Sequence, residues 1–315
     1  MARGKKMRIA ITGSTGLVGS ALVRALELRG DQVLRLVRRE TRYEDEVRWS
    51  PENGVEAPEG LEGIDACIHL AGESIADRRW SAAQKERIRN SRVLGTQVLV
   101  KALNALEQPP KALLSASAVG YYGDRGEERL PETARRGEGF LPEVCAAWEE
   151  AAEGFRGRVA LMRIGVILST EGGALQKMLP PFRMGVGGRL GSGRQSFPWI
   201  TLQDSIAAFL HTLDHDSLSG PINVTAPAET DNEAFTKALG RVLRRPTIFP
   251  MPAFAARLAF GEMADELLLA STKVFPERLL DSGFRFAHPD IEHGLLVQLG
   301  NASASAKAPQ TNSAT

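Results

Sequence analysis

Apolar positions recur along this chain in two rhythms. Short unbroken apolar runs bounded by glycine or proline read as buried strands, and apolar residues repeating at three and four read as helices. The stretch 8–12 is the first strand. Leu17, Val18, Ala21, Leu22, Ala25 and Leu26 then mark one face of a helix that Gly30 stops. A second strand is predicted over 33–37, and others over 66–71, 112–117 and 159–163. Ser81 with Gln84 gives a capping-box signature opening a long helix to residue 105, closed by Pro109 and Pro110. A further helix is predicted over 142–154. This alternation predicts an α/β fold, a Rossmann-type doubly wound parallel sheet with helices on both faces. In such sheets ligands sit beyond the carboxyl ends of the strands. Those ends carry Gly13, Arg38, Ala71, Ser117 and Arg163, which are expected to converge on one crevice.

The texture changes after residue 170. The segment 185–199 is glycine-rich and positively charged. It reads either as an irregular loop over a site or as a plain surface loop. Short helices and Pro-marked turns follow. The expected organisation is a dinucleotide-binding domain over 7–170 to which later segments return, and substrate-region loops and short elements over 171–245. A smaller C-terminal α/β region over 246–299 and a disordered Ala/Ser/Thr/Asn-rich tail over 300–315 complete it.

Size and charge narrow the function classes. With 315 residues the chain can bury one large or two modest cores. A net charge of +1 gives no bulk electrostatic case for a nucleic-acid or membrane partner. No apolar run reaches the ~20 residues of a transmembrane helix. Arg3, Lys5 and Lys6 precede no apolar targeting segment and read as a solvated tail. Cys67 and Cys145 lack metal-ligand spacing and read as buried thiols, in keeping with a cytoplasmic location. His211, His215, His288 and His293 form no metal pattern.

Candidate chemistry begins at the first turn. The run MRIAITGSTGLVG places Gly13, Gly16 and Gly19 between a strand and a helix. Backbone amides at a glycine-rich helix start, aided by the helix dipole, suit a phosphate. Gly13 suits the tight turn, Gly16 a close ligand approach, and Gly19 close packing of helix on sheet. The spacing is GxxGxxG rather than GxGxxG. The second strand ends in LVRRE, so Arg38 and Arg39 stand where an acidic residue would favour a ribose hydroxyl. Guanidinium groups there suit a 2′-phosphate, which favours NADP(H) over NAD(H).

The segments TGSTGLVG, HLAGESI, SRVLGT and SASAVGYYG resemble the extended short-chain dehydrogenase/reductases, the NAD(P)-dependent epimerase/dehydratase group. The stretches GGALQKMLPPFRMGVGGRLGSGRQSFPWI and LLLASTKVFPERLLDSGFRF are similar to the subgroup of epimerase family proteins found in bacteria, chloroplasts and animals, with its small C-terminal domain of unknown function. The resemblance runs from Met7 to Leu299. It implies that Gly13, Ser14, Thr15, Gly16, Leu17, Val18 and Gly19 form the pyrophosphate loop, and that Arg38 and Arg39 meet the 2′-phosphate. It implies that Leu70, Ala71 and Gly72 line the dinucleotide. Arg92 stands where the wider family often carries a cofactor-contacting Asn, and Ile167 lies in the segment closing over the nicotinamide end.

The wider family moves a proton with a Tyr-x-x-x-Lys pair and a nearby Ser or Thr. This chain has three tyrosines, Tyr43, Tyr121 and Tyr122, followed four residues on by Val47, Arg125 and Gly126. Val144 and Trp148 take the positions of the pair. Ser117 matches the Ser/Thr position. Tyr122, or Tyr121, is the candidate substitute acid, tuned by Arg163 or Arg125, although both rings can equally pack under their loop. Glu73 can act as a base or order the loop Arg78–Arg79–Trp80, and His69 reads as a satisfied core imidazole. The expected activity is NADP-dependent epimerisation or oxidoreduction of an unidentified small-molecule substrate. The alternative is a non-catalytic cofactor-binding regulator, which the resemblance links to cell division. A homodimer is one arrangement open to the chain, whose sequence does not give the oligomeric state.

Overall fold

The first predicted unit forms with its boundaries nearly as read. In the computed structural model, which describes residues 6–305, β1 (Arg8–Thr12) and β2 (Gln32–Val37) lie parallel and are joined by α1 (Leu17–Arg29). Gly30 ends α1 at φ +93°, a left-handed geometry that a side chain resists. Arg3, Lys5 and the stretch 306–315 lie outside the described residues.

The chain next adds β3 (Glu46–Ser50) and β4 (Gly54–Val55) on the far side of β2. It then crosses back past β1 to β5 (Ala66–His69), α2 (Ala82–Ala105) and β6 (Ala112–Ala118). After β7 (Arg129–Leu130), α3 (Phe140–Glu153) leads to β8 (Arg158–Ile164). Next come β9 (Val166–Leu168), α4 (Gly173–Arg183), β10 (Trp199–Thr201), α5 (Leu202–Asp214) and β11 (Gly220–Val224). The main sheet runs β11-β8-β6-β5-β1-β2-β3-β4, parallel except for the β3–β4 hairpin. The switch of direction falls between β1 and β5, the place where a doubly wound sheet opens a crevice.

Alternate residues of each strand feed opposite layers. Ile9 and Ile11 pack with Leu22 and Leu26 of α1 and Phe209 of α5. Ala10 and Leu34 pack on the other face with Leu99 and Leu103 of α2 and Ala152 of α3. Both faces are therefore covered, as the near-continuous apolar strands require.

Within 171–245, α5 and β11 return to complete the main sheet, while α4 and α6 (Asn232–Leu243) build a small second core around Trp199 and Leu295. The C-terminal stretch contributes α7 (Ala253–Phe260), β12 (Lys273–Val274), α8 (Glu277–Asp281) and α9 (Ile291–Ser305). Leu279 and Phe284 enter the same core as Ile9 and Ile11, so 246–299 lacks a separate core of its own. Helix α9 continues to Ser305, so the stretch 300–305 read as a disordered tail is helical. Among the described residues no helix is long and apolar enough to cross a membrane.

The candidate dinucleotide crevice

Gly13 adopts φ +68°, and a Cβ there would lie 3.0 Å from the Leu70 carbonyl. The first turn and the end of β5 thus meet at backbone distance. A Cβ on Gly19 would fall 2.1 Å from the Gly13 carbonyl oxygen, so no side chain fits where α1 crosses the turn. Gly16 precedes α1 with no side-chain cap, and the first turn of α1 carries no acidic residue. The amides of Leu17, Val18 and Gly19 therefore lack intrahelical acceptors. Thr15 and Gly16 are exposed above them, and Ser14 is buried. This is a bare-amide cradle at a helix start, the local chemistry that suits a phosphate. The residues present fit a dinucleotide's pyrophosphate.

β5 stops at His69, two residues before the predicted end at 71, for a local reason. The amides of Leu70 and Ala71 donate to Thr12 Oγ1 at 3.1 and 3.2 Å instead of joining the sheet. The Thr12 hydroxyl can then donate only to His69 Nδ1, 2.7 Å away. His69 Nε2 faces Thr96 Oγ1 at 3.0 Å, and Thr96 donates to the Arg92 carbonyl. Burial pushes the His69 imidazole down to about 4, so it stays neutral. This chain of bonds fixes the segment 70–72 across the mouth of the turn. The sequence reading placed His69 in the core but missed Thr12 and Thr96. Their only signal was a threonine ending β1 and another on the buried face of α2.

The two arginines after β2 part company. Arg38 is exposed and makes no ion pair among the described residues. Arg39 is engaged: its terminal nitrogens bond both oxygens of Glu46 and the Glu40 carbonyl. The bond from Arg39, aided by the Arg42 amide, holds the Glu46 carboxyl down at about 2. Of the two arginines expected at a 2′-phosphate, Arg39 is thus engaged by Glu46, and Arg38 is the one left open. The sequence could not show that Glu46, at the start of β3, would be brought beside Arg39.

Ile167 lies half-buried in β9, packed in one cluster with Leu17 and Val18. Arg92 stacks on the Trp148 ring at 5.1 Å, with its guanidinium directly beneath Gly72. Its Nη1 donates to the carbonyls of Glu73 and Ile88.

The proposed catalytic pair is corrected by burial. Ser117 is 3% exposed and donates to Glu149 Oε1 at 2.6 Å. Tyr122 is fully buried; its hydroxyl donates to Asn223 Oδ1 at 2.7 Å and accepts from Arg163 at 2.9 Å. Burial pushes its phenol up to about 12 despite Arg163. Arg163 is itself clamped by both oxygens of Glu149. Ser117 and Tyr122 are therefore parts of a closed polar network under the strand ends, where neither can reach a substrate. Glu149 and Asn223, which the sequence reading missed, complete that network. Tyr121 differs: it is half-buried, its ring lies 3.5 Å from the Arg163 guanidinium, and its hydroxyl has no partner among the described residues. Val144 and Trp148, at the positions of the absent pair, are both buried on α3. Burial alone raises the Cys67 thiol to about 12, and it leads in raising Cys145 equally, so neither is a nucleophile at neutral pH.

The glycine-rich segment 185–199 is pinned to the C-terminal region. Leu190 bridges to Met251, and Gln195 donates to the carbonyls of Leu190 and Leu268.

Residues 9–142 match the NAD dependent epimerase/dehydratase family, and residues 251–295 match a domain of unknown function, DUF1731. An epimerase family protein of Mycobacterium bovis is 44% identical over 290 residues, covering 91% of this chain and 96% of that protein. The chain belongs to the epimerase family proteins. The human family member SDR39U1 is 34% identical over 290 residues, covering 90% of this chain and 97% of its own length. The crystal structure of human SDR39U1 (isoform 2) with NADPH aligns at a TM-score of 0.87 with 33% identity, covering 94% of this chain and all of that one. A nucleoside-diphosphate sugar epimerase from Corynebacterium glutamicum aligns at 0.75 with 35% identity, covering 98% of this chain and 63% of that one. The first matched region spans β1 to the start of α3, and the second covers the stretch carrying α7, β12 and α8.

Proposed function

We propose that the chain binds NADP(H) in preference to NAD(H) and serves hydride transfer with a small polar or sugar-like substrate, without the Tyr-x-x-x-Lys pair. The observation that carries this reading is Arg38, an exposed guanidinium just after β2 with no ion pair among the described residues, near an uncapped helix start. A carboxylate at that strand end would repel a 2′-phosphate, and here Glu46 is engaged by Arg39 and Glu40 by Arg48. The NADPH in the human relative and the name of the Corynebacterium relative support the same direction. Bound NADP(H) would supply or accept the hydride. The chain's own share is to hold the phosphates, wall the crevice with Ile167, and offer Tyr121 as the proton donor, since its hydroxyl is unengaged. The reading includes no nucleic-acid or membrane partner and places the chain in the cytoplasm.

Titration calorimetry of NADPH and NADH against the protein and its Arg38→Ala variant tests it. NADPH should bind more tightly than NADH, and Arg38→Ala should weaken NADPH about ten-fold or more while leaving NADH nearly unchanged. Equal weakening of both cofactors would remove the 2′-phosphate assignment.

One observation favours a second reading, a cofactor-binding regulator without turnover. Val144 and Trp148 cannot move a proton, and Ser117 and Tyr122 are sealed in the polar network. Oxidation of NADPH in the presence of carbonyl compounds or nucleotide sugars, abolished by Tyr121→Phe, supports catalysis. Tight NADPH binding with no oxidation across the panel supports the regulator.

A further inference from the structure

The exposed apolar side chains are not scattered. Among the described residues twelve large hydrophobics stand exposed, and seven of them fall within 184–186 and 248–258, so they form a patch rather than single exposures. Met184 and Val186 lie on the glycine-rich segment. Ile248, Phe249 and Met251 lie on the proline-rich run that leads into α7. Phe254 and Leu258, 73% and 77% exposed, stand one turn apart on α7 itself.

The two segments are bound side by side. The Met251 amide donates to the Arg189 carbonyl, and the Gly191 amide donates to the Met251 carbonyl. A Cβ on Gly188 would fall 2.0 Å from the Phe249 carbonyl oxygen, so the backbones touch there. A Cβ on Gly185 would lie 3.6 Å from the Pro246 ring. The glycines thus let one segment support the other, while the apolar side chains of both reach solvent.

The open charge beside the patch has one sign. Arg183, Arg244 and Arg245 are exposed and make no ion pair among the described residues. The carboxylates that follow α7 are engaged, Glu262 by Lys85 and Asp265 by Arg257. Those on α6 and α9 are engaged too, Glu233 by Lys237 and Glu292 by Arg241. Apolar anchors beside open guanidiniums complement a surface that is both apolar and acidic. Pro246, Pro250 and Pro252 are exposed and offer no N–H, so the run is a poor edge for an added strand. Docking through side chains, as by a helix, remains. A second copy of the chain, facing the patch with its own, would set guanidinium against guanidinium. A flat anionic lipid surface would meet the exposed carboxylates Glu262 and Asp265 at the α7 end.

We infer that this patch docks an amphipathic helix of another protein, acidic where it meets Arg244 and Arg245. Such docking is independent of what the crevice holds, and it gives the glycine-rich segment and α7 a shared role.

The test uses full-length protein in its native cells, with the photo-cross-linker p-benzoylphenylalanine in place of Ile248, which is 72% exposed. The linked peptide is sequenced by mass spectrometry. It should come from another protein, carry a net negative charge and show apolar residues three and four apart. Arg244→Glu with Arg245→Glu should cut linking about ten-fold or more, because like charges then face each other, and should leave the thermal midpoint unchanged. Leu258→Glu, a single exposed change, takes its place if the double variant does not fold. The same cross-linker in place of Leu28, on α1, should not capture that peptide. Linking to a second copy of the chain, linking that survives the charge reversal, a linked peptide that is basic or lacks the helical pattern, or no linked protein at all overturns the assignment. Sedimentation of the purified protein with phosphatidylglycerol–phosphatidylcholine vesicles also overturns it, by making the patch a membrane contact.

Discussion

His69 shows how one residue can set a site without touching a ligand. Its neutral ring joins Thr12 to Thr96, and Thr12 in turn holds the amides of Leu70 and Ala71. With a folded value near 4 against the ordinary imidazole value of 6.5, the unfolded chain binds the extra proton first as pH falls. Stability from this residue is therefore present above pH 6.5 and is lost between pH 6.5 and 4, on the order of 3 kcal/mol in full. Urea unfolding at pH 7 and pH 5 should show a larger loss in wild-type protein than in His69→Asn. His211, also lowered by burial, adds a loss of the same sign to both proteins. Equal losses would mean that the ring is not the titrating group. At this scale the sequence was informative where chemistry is local: three glycines beside a strand, and an arginine ending the next one. It could not separate Arg38 from Arg39, because the difference lies in Glu46, seven residues beyond Arg39 and on another strand.

The helices carry their ends in different ways. Ser81 caps α2 by accepting from the Gln84 amide, as the sequence suggested. The reciprocal half of the capping box is absent, because Gln84 Oε1 accepts from Arg87 instead. α1 is left uncapped, which keeps its amides for a ligand. α3 has no cap of its own, and Gly139 precedes it at φ +113°. Glu266, from the stretch after α7, supplies the cap, accepting from Phe140 and Leu141 amides at 2.9 and 2.8 Å. Glu266→Ala should cost about 1–2 kcal/mol, and Glu266→Gln less, since the amide oxygen still accepts. Thermal denaturation of the two variants checks this; equal, negligible shifts would show that the contact is idle. No local signal marks such a cap, because donor and acceptor lie 126 and 125 residues apart. α4 is another element the sequence reading missed, since Pro180 and Pro181 lie inside it near its end.

Across the whole molecule, the C-terminal region is stitched to the sheet rather than appended to it. Asn223 of β11 donates to the carbonyls of Leu130 and Phe275, while its amide is bound by Glu132, which also accepts from Arg278. Ser271 and Thr272 hold the loop 123–126 through the Gly126 and Gly123 carbonyls. With Leu279 and Phe284 in the main core, the parts should melt together. Calorimetry should record one cooperative transition, with calorimetric and van't Hoff enthalpies equal. Two resolved transitions would show that the C-terminal region is an independent unit.

The sequence by itself determined the α/β alternation, the glycine turn, the arginine after β2 and the absence of a Tyr-x-x-x-Lys pair. These depend on periodicity and on neighbours within a few residues, where sterics and hydrogen bonding act locally. Only the tertiary structure decided which polar side chains are spent and which stay open. Ser117, Tyr122 and Arg39 were each consumed by a partner distant in sequence or on another element, Glu149, Asn223 and Glu46. Among the described residues, the Tyr121 hydroxyl and the Arg38 guanidinium were left without one. A buried polar group must be paired, and which partner it finds depends on how the strands and helices are brought together.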